Sequence, residues 1–287
     1  MNNFELSALY HHADKASNRA QRSFHFALAT SLISLILIAT ISVLDFQSRW
    51  LAAAQLLLLL LSLSLTAYLA VSQPQRTWFG TRALAESVKT VSWRFAMRAE
   101  PYNSGDDIAR KAFSENVRRI MKENEVSRSV LAETNSALIT ESMNAVRSMP
   151  LGERVSIYQR ERVDNQLEWY QLKAKRNTTL SWRWFAAIIV LHAIAILCAV
   201  GKLIEPLTQF WPTDAIVAAA SSALAWIQAR RFQDLSASYS QTFFEIGLLK
   251  ETLPLVTTEA AFSSFVGDAE NAFSREHTQW RARRDAT

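Results

Sequence analysis

The sequence has a single cysteine, Cys198, which excludes an intrachain disulfide and any zinc site that needs several thiolates. Its six glycines are dispersed, so no glycine-rich loop for holding a phosphate is present. His11 and His12 are adjacent and would diverge on a helix, so we expect no metal site there. HExxH, GxSxG and other recognisable catalytic spacings are also missing. We therefore expect a protein that is not an enzyme and has no cofactor.

Charged residues are absent from two long apolar runs near the start of the sequence. Each has about 21 residues, which is roughly 32 Å as a helix and close to the hydrocarbon thickness of a bilayer. A soluble core helix would show a polar face, and these runs have only scattered hydroxyls. With two shorter runs they predict an all-α polytopic membrane protein, in which four transmembrane helices form two hairpins with long cytoplasmic helical extensions. The four runs are residues 24–44, 50–71, 184–200 and 211–227.

The fourth run is the weakest candidate, because alanine and serine contribute little to insertion and Asp214 opposes it. Its small residues repeat at helical spacing, which allows close packing of another helix or, in an oligomer, a narrow passage. Thr30 and Ser34 of the first run have hydroxyl groups that could likewise either pack against another helix or line a passage. His192 in the third run either forms an interhelical hydrogen bond or lines a pore and titrates. These candidate pore or packing residues are Thr30, Ser34, His192, Ala218, Ser222 and Ala225.

Basic residues lie at the edges of the apolar runs rather than in one tract. This distribution indicates anionic lipid, and not nucleic acid, as the partner of the net charge of +5. By the positive-inside rule, we expect both termini and the middle of the chain in the cytoplasm and both hairpin loops outside. The first span is expected to act as an uncleaved insertion signal.

The regions between the runs predict helices of a cytoplasmic part. A break at 101–105 should be followed by a helix capped by Asp106 or Asp107, and a polar helix is expected at 129–147. No glycine or proline occurs between Gly152 and Gly201, which predicts one helix of about 50 residues that leaves the membrane as a stalk. The predicted organisation is a first unit at 1–105 (hairpin 24–71, helix 77–97), connecting helices at 106–149, and a second unit at 150–287 (stalk 152–182, hairpin 184–227, helices 228–250 and 258–281).

The helix predicted at 77–97 carries two stripes. Leu84, Val88, Val91 and Phe95 form an apolar stripe, and a charged stripe that ends in a tryptophan lies roughly opposite. The charged stripe is either a solvated ladder of ion pairs or a contact between subunits or in gating. Its members are Arg82, Glu86, Lys89 and Trp93.

The chain shows a weak internal repeat. A tyrosine, a lysine and an asparagine precede the first and third runs, and the second span of each hairpin leads into a helix with a Glu and a nearby Lys. The two helices are ALAESVK at 83–89 and FFEIGLLK at 243–250. Two parallel units of one plan would explain why both loops face outward.

These segments carry a family resemblance. WFGTRALAESVKTVSWRFAMRAEPY at 78–102 resembles the signature that follows the transmembrane hairpin in bacterial SLATT proteins, and RVSIYQRERVDNQLEWYQLKAKRN at 154–177 resembles the segment that precedes the hairpin in a second SLATT subtype. The resemblance makes a set of residues candidates for family-signature or gating contacts. They are Arg82, Glu86, Lys89, Trp93, Tyr158, Arg162, Gln166, Tyr170 and Lys173.

SLATT proteins are associated with nucleotide-second-messenger synthases and nucleotide-sensing SLOG domains in bacterial conflict systems. The resemblance implies a homo-oligomeric effector of the bacterial inner membrane that forms a pore in anti-phage defence. A separate nucleotide-sensing or second-messenger protein would then supply the signal, because this sequence shows no sensor of its own. The alternative is a membrane-anchored helical scaffold or signalling module that binds partners without conducting ions.

Overall fold

A computed structural model describes residues 4–44, 48–124, 137–205 and 210–284, with side chains as far as residue 274. Every regular element in these residues is helical, which confirms the predicted all-α class for this part of the chain. In chain order the helices are α1 (Ala8–Leu44), α2 (Arg49–Ser72), α3 (Pro74–Ala96), α4 (Asp106–Glu123), α5 (Glu141–Ser148), α6 (Leu151–Tyr158), a π-helical turn (Gln159–Asp164), α7 (Asn165–Ile204), α8 (Thr213–Arg230), α9 (Phe232–Thr252), a 3-10 turn (Leu253–Leu255) and α10 (Glu259–Arg284).

Three of the described helical stretches are long and apolar enough to cross a membrane: α1, α2 and the continuous stretch Leu151–Ile204. Only 17%, 6% and 6% of their most apolar windows are buried in the protein. Large side chains such as Leu57, Leu63 and Leu197 are 66–70% exposed. Exposed leucines of this kind need a lipid environment, so the protein is a membrane protein. Helix α8, from the fourth run, is not among the three, in keeping with its alanine and serine content.

The described chain divides into two compact units. Unit 2 comprises residues 21–74 and 175–236 and contains the apolar parts of the long helices. Three hydrogen bonds join α1 to α2: Ser23 to Tyr68 at 2.6 Å, Ser31 to Ser62 at 3.2 Å, and Gln55 to Ser42 at 2.9 Å. The partner numbers on α2 fall as those on α1 rise, so the two helices run antiparallel.

Within unit 2, the ring of Trp211 packs directly on Gly201 near the end of α7. A Cβ atom at this glycine would lie 2.3 Å from the Trp211 ring, so the close approach requires glycine. Helix α8 ends at Arg230 because Arg231 adopts a left-handed conformation with a φ of 51°. The helix predicted at 228–250 is therefore divided at this residue, and a new helix, α9, begins at Phe232.

Unit 1 comprises residues 1–20, 75–174 and 237–287, as far as they are described. The predicted apolar stripe of α3 is confirmed, since Leu84, Val88, Val91 and Phe95 are all at most 7% exposed. Leu9 and Ala13 of α1 join the same core cluster. A second cluster is built around Tyr158, and it includes the apolar side of α10. The buried members of that side are Phe262, Phe265 and Ala269.

One local prediction in unit 1 is wrong, and another is confirmed only in part. Helix α4 has Gly105 at its N-cap and no side-chain cap, because Asp106 binds Arg147 instead. The helix expected at 129–147 lies partly outside the described residues, and within them only Glu141–Ser148 is helical. Thr140 starts this helix by accepting a hydrogen bond from the Met143 amide at 3.1 Å.

The long helix expected between Gly152 and Gly201 is present as Leu151–Ile204, a stretch of 54 residues. Its packed side includes Val163, Tyr170 and Ala174, which are buried, and Leu167, which is partly buried against the core. The stretch is interrupted only by the π-helical turn. Such a turn inserts one extra residue per turn and is frequent at functional sites.

Candidate functional site

Unit 1 contains a carboxylate that is completely removed from solvent. Glu270 lies on the apolar side of α10, between Val266 and Phe273, and is 0% exposed. A buried charge without partners would cost several kcal/mol, so its environment has to supply them. The partners come from α3, from α6 and from the π-helical turn.

Four hydrogen bonds converge on this carboxylate. Arg162, in the π-helical turn, donates from Nε to Oε1 at 2.8 Å and from Nη2 to Oε2 at 2.7 Å. The hydroxyl of Tyr158 donates to Oε1 at 3.0 Å, and that of Thr90 donates to Oε2 at 3.0 Å. We call Thr90, Tyr158, Arg162 and Glu270 the Glu270 network. It has the two parallel N–H···O bonds that make an arginine–carboxylate pair strong and directional.

The network fixes its own charge state. Burial disfavours a charged guanidinium, but the carboxylate of Glu270 and its hydrogen bonds raise the pKa of Arg162 above its ordinary value. Burial, and then the negative charge of Glu270, raise the pKa of Tyr158 well above its ordinary value. Arg162 also lies over the ring of Phe273, with its guanidinium carbon 4.5 Å from the ring centre. Arg162 therefore stays charged and Tyr158 stays neutral across the physiological range.

A second group of charges follows α3. Arg82 bonds Glu86 at 2.8 Å and Asp14 of α1 at 3.1 Å. Lys89 lies 4.0 Å from Glu86 and 6.0 Å from the centre of the Tyr10 ring. We call Asp14, Arg82, Glu86 and Lys89 the Lys89 cluster. Glu86 is only 9% exposed, whereas the side chains of Arg82 and Asp14 are each 31% exposed, so the cluster is partly shielded from solvent.

Lys89 is the residue of this cluster whose protonation is most affected. Burial, and then the positive charge of Arg162, lower the pKa of its amine to about 8, although the negative charge of Glu86 opposes them. An amine with a pKa near 8 changes charge close to physiological pH. The cluster thus contains a charge that responds to pH and to nearby charges.

Aromatic side chains surround both groups. Trp93 of α3 stacks on Phe4 with ring centres 3.9 Å apart, and it meets Tyr158 edge-on at 5.7 Å. Trp93 is 3% exposed. The backbone amide of Phe4 donates to Glu161 of the π-helical turn at 3.1 Å. The segment before α1 is therefore held against the same turn that carries Arg162.

Two more buried arginines bind the end of α3 and the loop that follows it. Arg147 donates to the carbonyls of Phe95, Tyr102 and Ser104 and to the carboxylate of Asp106, at 2.8–3.0 Å. The hydrogen bond from Arg147 lowers the pKa of the Asp106 carboxyl below its ordinary value. Arg154 donates to the Met97 carbonyl at 2.8 Å and pairs with Glu259 of α10. Carbonyls at a helix end otherwise have no partner, so these contacts fix where α3 stops.

The comparison with protein families decides the identity of the chain. The family model of the SMODS and SLOG-associating 2TM effector domain 3 matches residues 7–155, and that of domain 1 matches residues 158–280. The chain is a SLATT protein. No curated protein and no solved structure matches it. The resemblance stated for residues 78–102 and 154–177 is thereby confirmed, with two SLATT subtypes in tandem.

Six of the nine residues predicted as family-signature or gating contacts of this SLATT chain lie in or beside the Glu270 network and the Lys89 cluster. They are Arg82, Glu86, Lys89, Trp93, Tyr158 and Arg162. Tyr170 belongs to the same core cluster and meets Tyr239 of α9 at 5.8 Å between ring centres. Lys173 lies over the ring of Trp169 at 5.4 Å, and Gln166 is partly exposed. The network joins the two tandem domains, because Thr90 belongs to the first match and Glu270 to the second.

The candidate pore or packing residues lie in unit 2 and are not gathered at one place by the described contacts. Ser34 is buried and donates to the Thr30 carbonyl of its own helix at 2.9 Å. His192 is exposed, and its ring lies 2.8 Å from the Ile188 carbonyl of its own helix. On α8, Ser222 is buried, whereas Ala218 and Ala225 are only partly buried.

Sequence reasoning missed Glu270, Thr90, Asp14 and the two buried arginines Arg147 and Arg154. A signal for Glu270 does exist, because it stands at a helical interval from Val266 and Phe273, on a stripe that is otherwise apolar. A charge at such a position predicts a buried partner. Nothing in the local pattern identifies which residue the partner is.

Proposed function

We propose that this SLATT chain is a membrane effector of a bacterial conflict system, which assembles into a homo-oligomer and opens a passage through the inner membrane when it is activated. The observation that carries the proposal is the match to two 2TM effector domains on a chain with three apolar, outward-exposed helices. Two hairpins in one subunit are too few to enclose a passage, so several copies have to share an axis. Collapse of the ion gradients would then arrest an infected cell.

The proposal gives the Glu270 network a role in the resting state. Tyr158 and Arg162 of the network lie on the stretch Leu151–Ile204, which continues into the third apolar run, and Asp14 of the Lys89 cluster lies on α1 itself. An activating signal that changed these contacts would act on the same helices that cross the lipid. The signal would come from a separate nucleotide-sensing or second-messenger protein, and the effector itself would catalyse no reaction.

The proposed topology has four spans, with both termini in the cytoplasm. It includes α8 as the fourth span, and the helix would be retained in the membrane by packing through its small residues and not by its own hydropathy. Reporter fusions within the two hairpin loops, at residues 47 and 209, test this topology. Both fusions should report an outside location, and a cytoplasmic location for either one would contradict it.

Ion flux from liposomes tests the passage itself. Purified full-length protein should release an entrapped potassium gradient, and the rate should rise with a power of the protein-to-lipid ratio above one because several subunits are needed. A chain lacking α8 and the loop before it is the negative control for assembly. Liposomes that stay sealed at all ratios, with protein shown to be inserted, would favour the alternative function of a scaffold that binds partners without conducting.

A further inference from the structure

Contacts within unit 2 place the basic ends of three helices at one level. The Arg230 guanidinium at the end of α8 lies 3.1 Å from the His25 ring of α1. The Thr178 hydroxyl of α7 lies 2.6 Å from that of Ser236, a few residues after Arg230. The starts of the apolar parts of α1 and α7 and the end of α8 therefore share one end of unit 2.

This end of unit 2 is strongly basic. Arg22 on α1 is exposed, as are Lys175, Arg176 and Arg183 on α7. The sequence has no acidic residue between positions 171 and 204. Asp234 is the acidic residue near the end of α8, and it bonds Arg231 at 2.6 Å. Among the described residues at this level, the basic side chains therefore outnumber the carboxylates.

Aromatic rings accompany these charges. Arg230 lies over the Trp226 ring at 5.6 Å and over the Phe232 ring at 5.3 Å. Trp182, next to Arg183, is 67% exposed. Tryptophan is enriched where a membrane protein passes through the headgroup region, because its ring is apolar and its N–H can hydrogen-bond. Basic and aromatic groups at one level indicate that this end of unit 2 lies among lipid headgroups.

We propose that Arg22, Lys175, Arg176, Arg183 and Arg230 form a headgroup belt that binds the phosphodiester of anionic lipids in preference to zwitterionic lipids. Guanidinium groups bind phosphate oxygens through paired N–H donors, and a negative leaflet attracts each basic residue close to its surface. The opposite end of unit 2 has Arg49 and Lys202 as its basic residues and is not expected to select lipids. The proposal depends on the membrane location of the chain and not on the passage.

Tryptophan quenching by brominated lipids tests the belt on the full-length protein. The protein is reconstituted in phosphatidylcholine vesicles in which brominated phosphatidylglycerol or brominated phosphatidylcholine replaces part of the lipid, and the quenching gives the relative binding constant of the two. We expect the native chain to prefer phosphatidylglycerol about fivefold at low salt, which corresponds to an attraction of about 1 kcal/mol, and to lose most of this preference at 0.5 M salt.

Three variants separate the belt from a general effect of charge. Replacing Lys175, Arg176 and Arg183 together by glutamine should lower the ratio of binding constants well below the native value, because three of the five belt charges are removed. The matched control, in which Arg49 and Lys202 are replaced by glutamine at the opposite end, should keep the native ratio. Exchanging lysine and arginine at the three belt positions keeps the charge and should therefore keep most of the preference, which shows that the positions tolerate substitution. A native ratio near one, or an equal fall in the control, would overturn the proposal.

Discussion

The Glu270 network predicts that Glu270→Gln strongly destabilises unit 1. Glutamine keeps the shape of the side chain but removes its charge, and its amide presents one acceptor where Arg162 requires two. Arg162, which is 1% exposed, then has a buried charge that the network no longer balances. Leaving one partner of a buried ion pair unbalanced costs about 3–5 kcal/mol. For a unit of this size, such a loss lowers the unfolding temperature by about 10 °C.

Thermal unfolding of the purified full-length chain measures this effect. Arg160→Gln is a suitable control, because Arg160 stands two residues from Arg162 but is 55% exposed and pairs at the surface with Glu161. A surface pair contributes about 0–1 kcal/mol, so the control should unfold within about 2 °C of the native chain. Equal unfolding temperatures for Glu270→Gln and the control would refute the importance of the buried pair.

An apolar replacement distinguishes a lost interaction from a stranded charge. The triple variant Arg162→Met, Tyr158→Phe and Glu270→Leu removes the ion pair. It also removes the Tyr158 hydroxyl, which would otherwise lose Glu270 as its hydrogen-bond acceptor. Buried ion pairs replaced by apolar residues of similar volume are often neutral in stability. The triple variant should therefore be more stable than Glu270→Gln alone. If it is as unstable as the single variant, the loss arises from packing and not from charge.

The remaining predictions concern Lys89 and the contact between Gly201 and Trp211. Because burial lowers the folded pKa of Lys89 to about 8, while an unfolded lysine keeps a value near 10.5, the unfolded chain binds more protons in this range. The free energy of unfolding should therefore rise by about 1–2 kcal/mol between pH 8 and 9.5, and thermal unfolding at several pH values measures this rise. The rise should be absent in Lys89→Met and present in the control Lys111→Met, because Lys111 is exposed. Gly201→Ala should destabilise unit 2 by about 1–3 kcal/mol, because its Cβ would meet the Trp211 ring, and the same assay should show recovery when Trp211→Ala is added. Gly247→Ala, which meets nothing within 4 Å in the interior of α9, should be neutral or stabilising, and a loss equal to that of Gly201→Ala would contradict this account.

The features that the sequence predicts well are those with a local period. The apolar stripe of α3 repeats at helical spacing, and its burial follows from that spacing alone. The long apolar runs identify a membrane protein because their length matches the bilayer. The stretch Leu151–Ile204 is continuous because it has no residue that ends a helix between its glycines.

The features that the sequence does not predict depend on contacts between distant residues. Arg162 and Glu270 are 108 positions apart, and Thr90 and Glu270 are 180 apart, so no local pattern pairs them. The helix cap expected at Asp106 is absent because its carboxylate binds Arg147 from another helix. At Asp106 and at Glu270 a tertiary hydrogen bond from a buried arginine outweighs the local preference. The charged stripe of α3 could be recognised as special, but its burial required knowledge of α1 and the π-helical turn.

Membrane potential in bacteria that express the full-length chain tests the central claim most directly. With a potential-sensitive dye read in single cells, expression under conditions that trigger defence should depolarise the cells before growth stops. A chain with charged residues introduced into the leucine run at 56–61 should not insert and should leave the potential unchanged. If cells expressing the native, membrane-inserted chain keep a normal potential while defence is triggered, the chain does not open a passage and the account is contradicted.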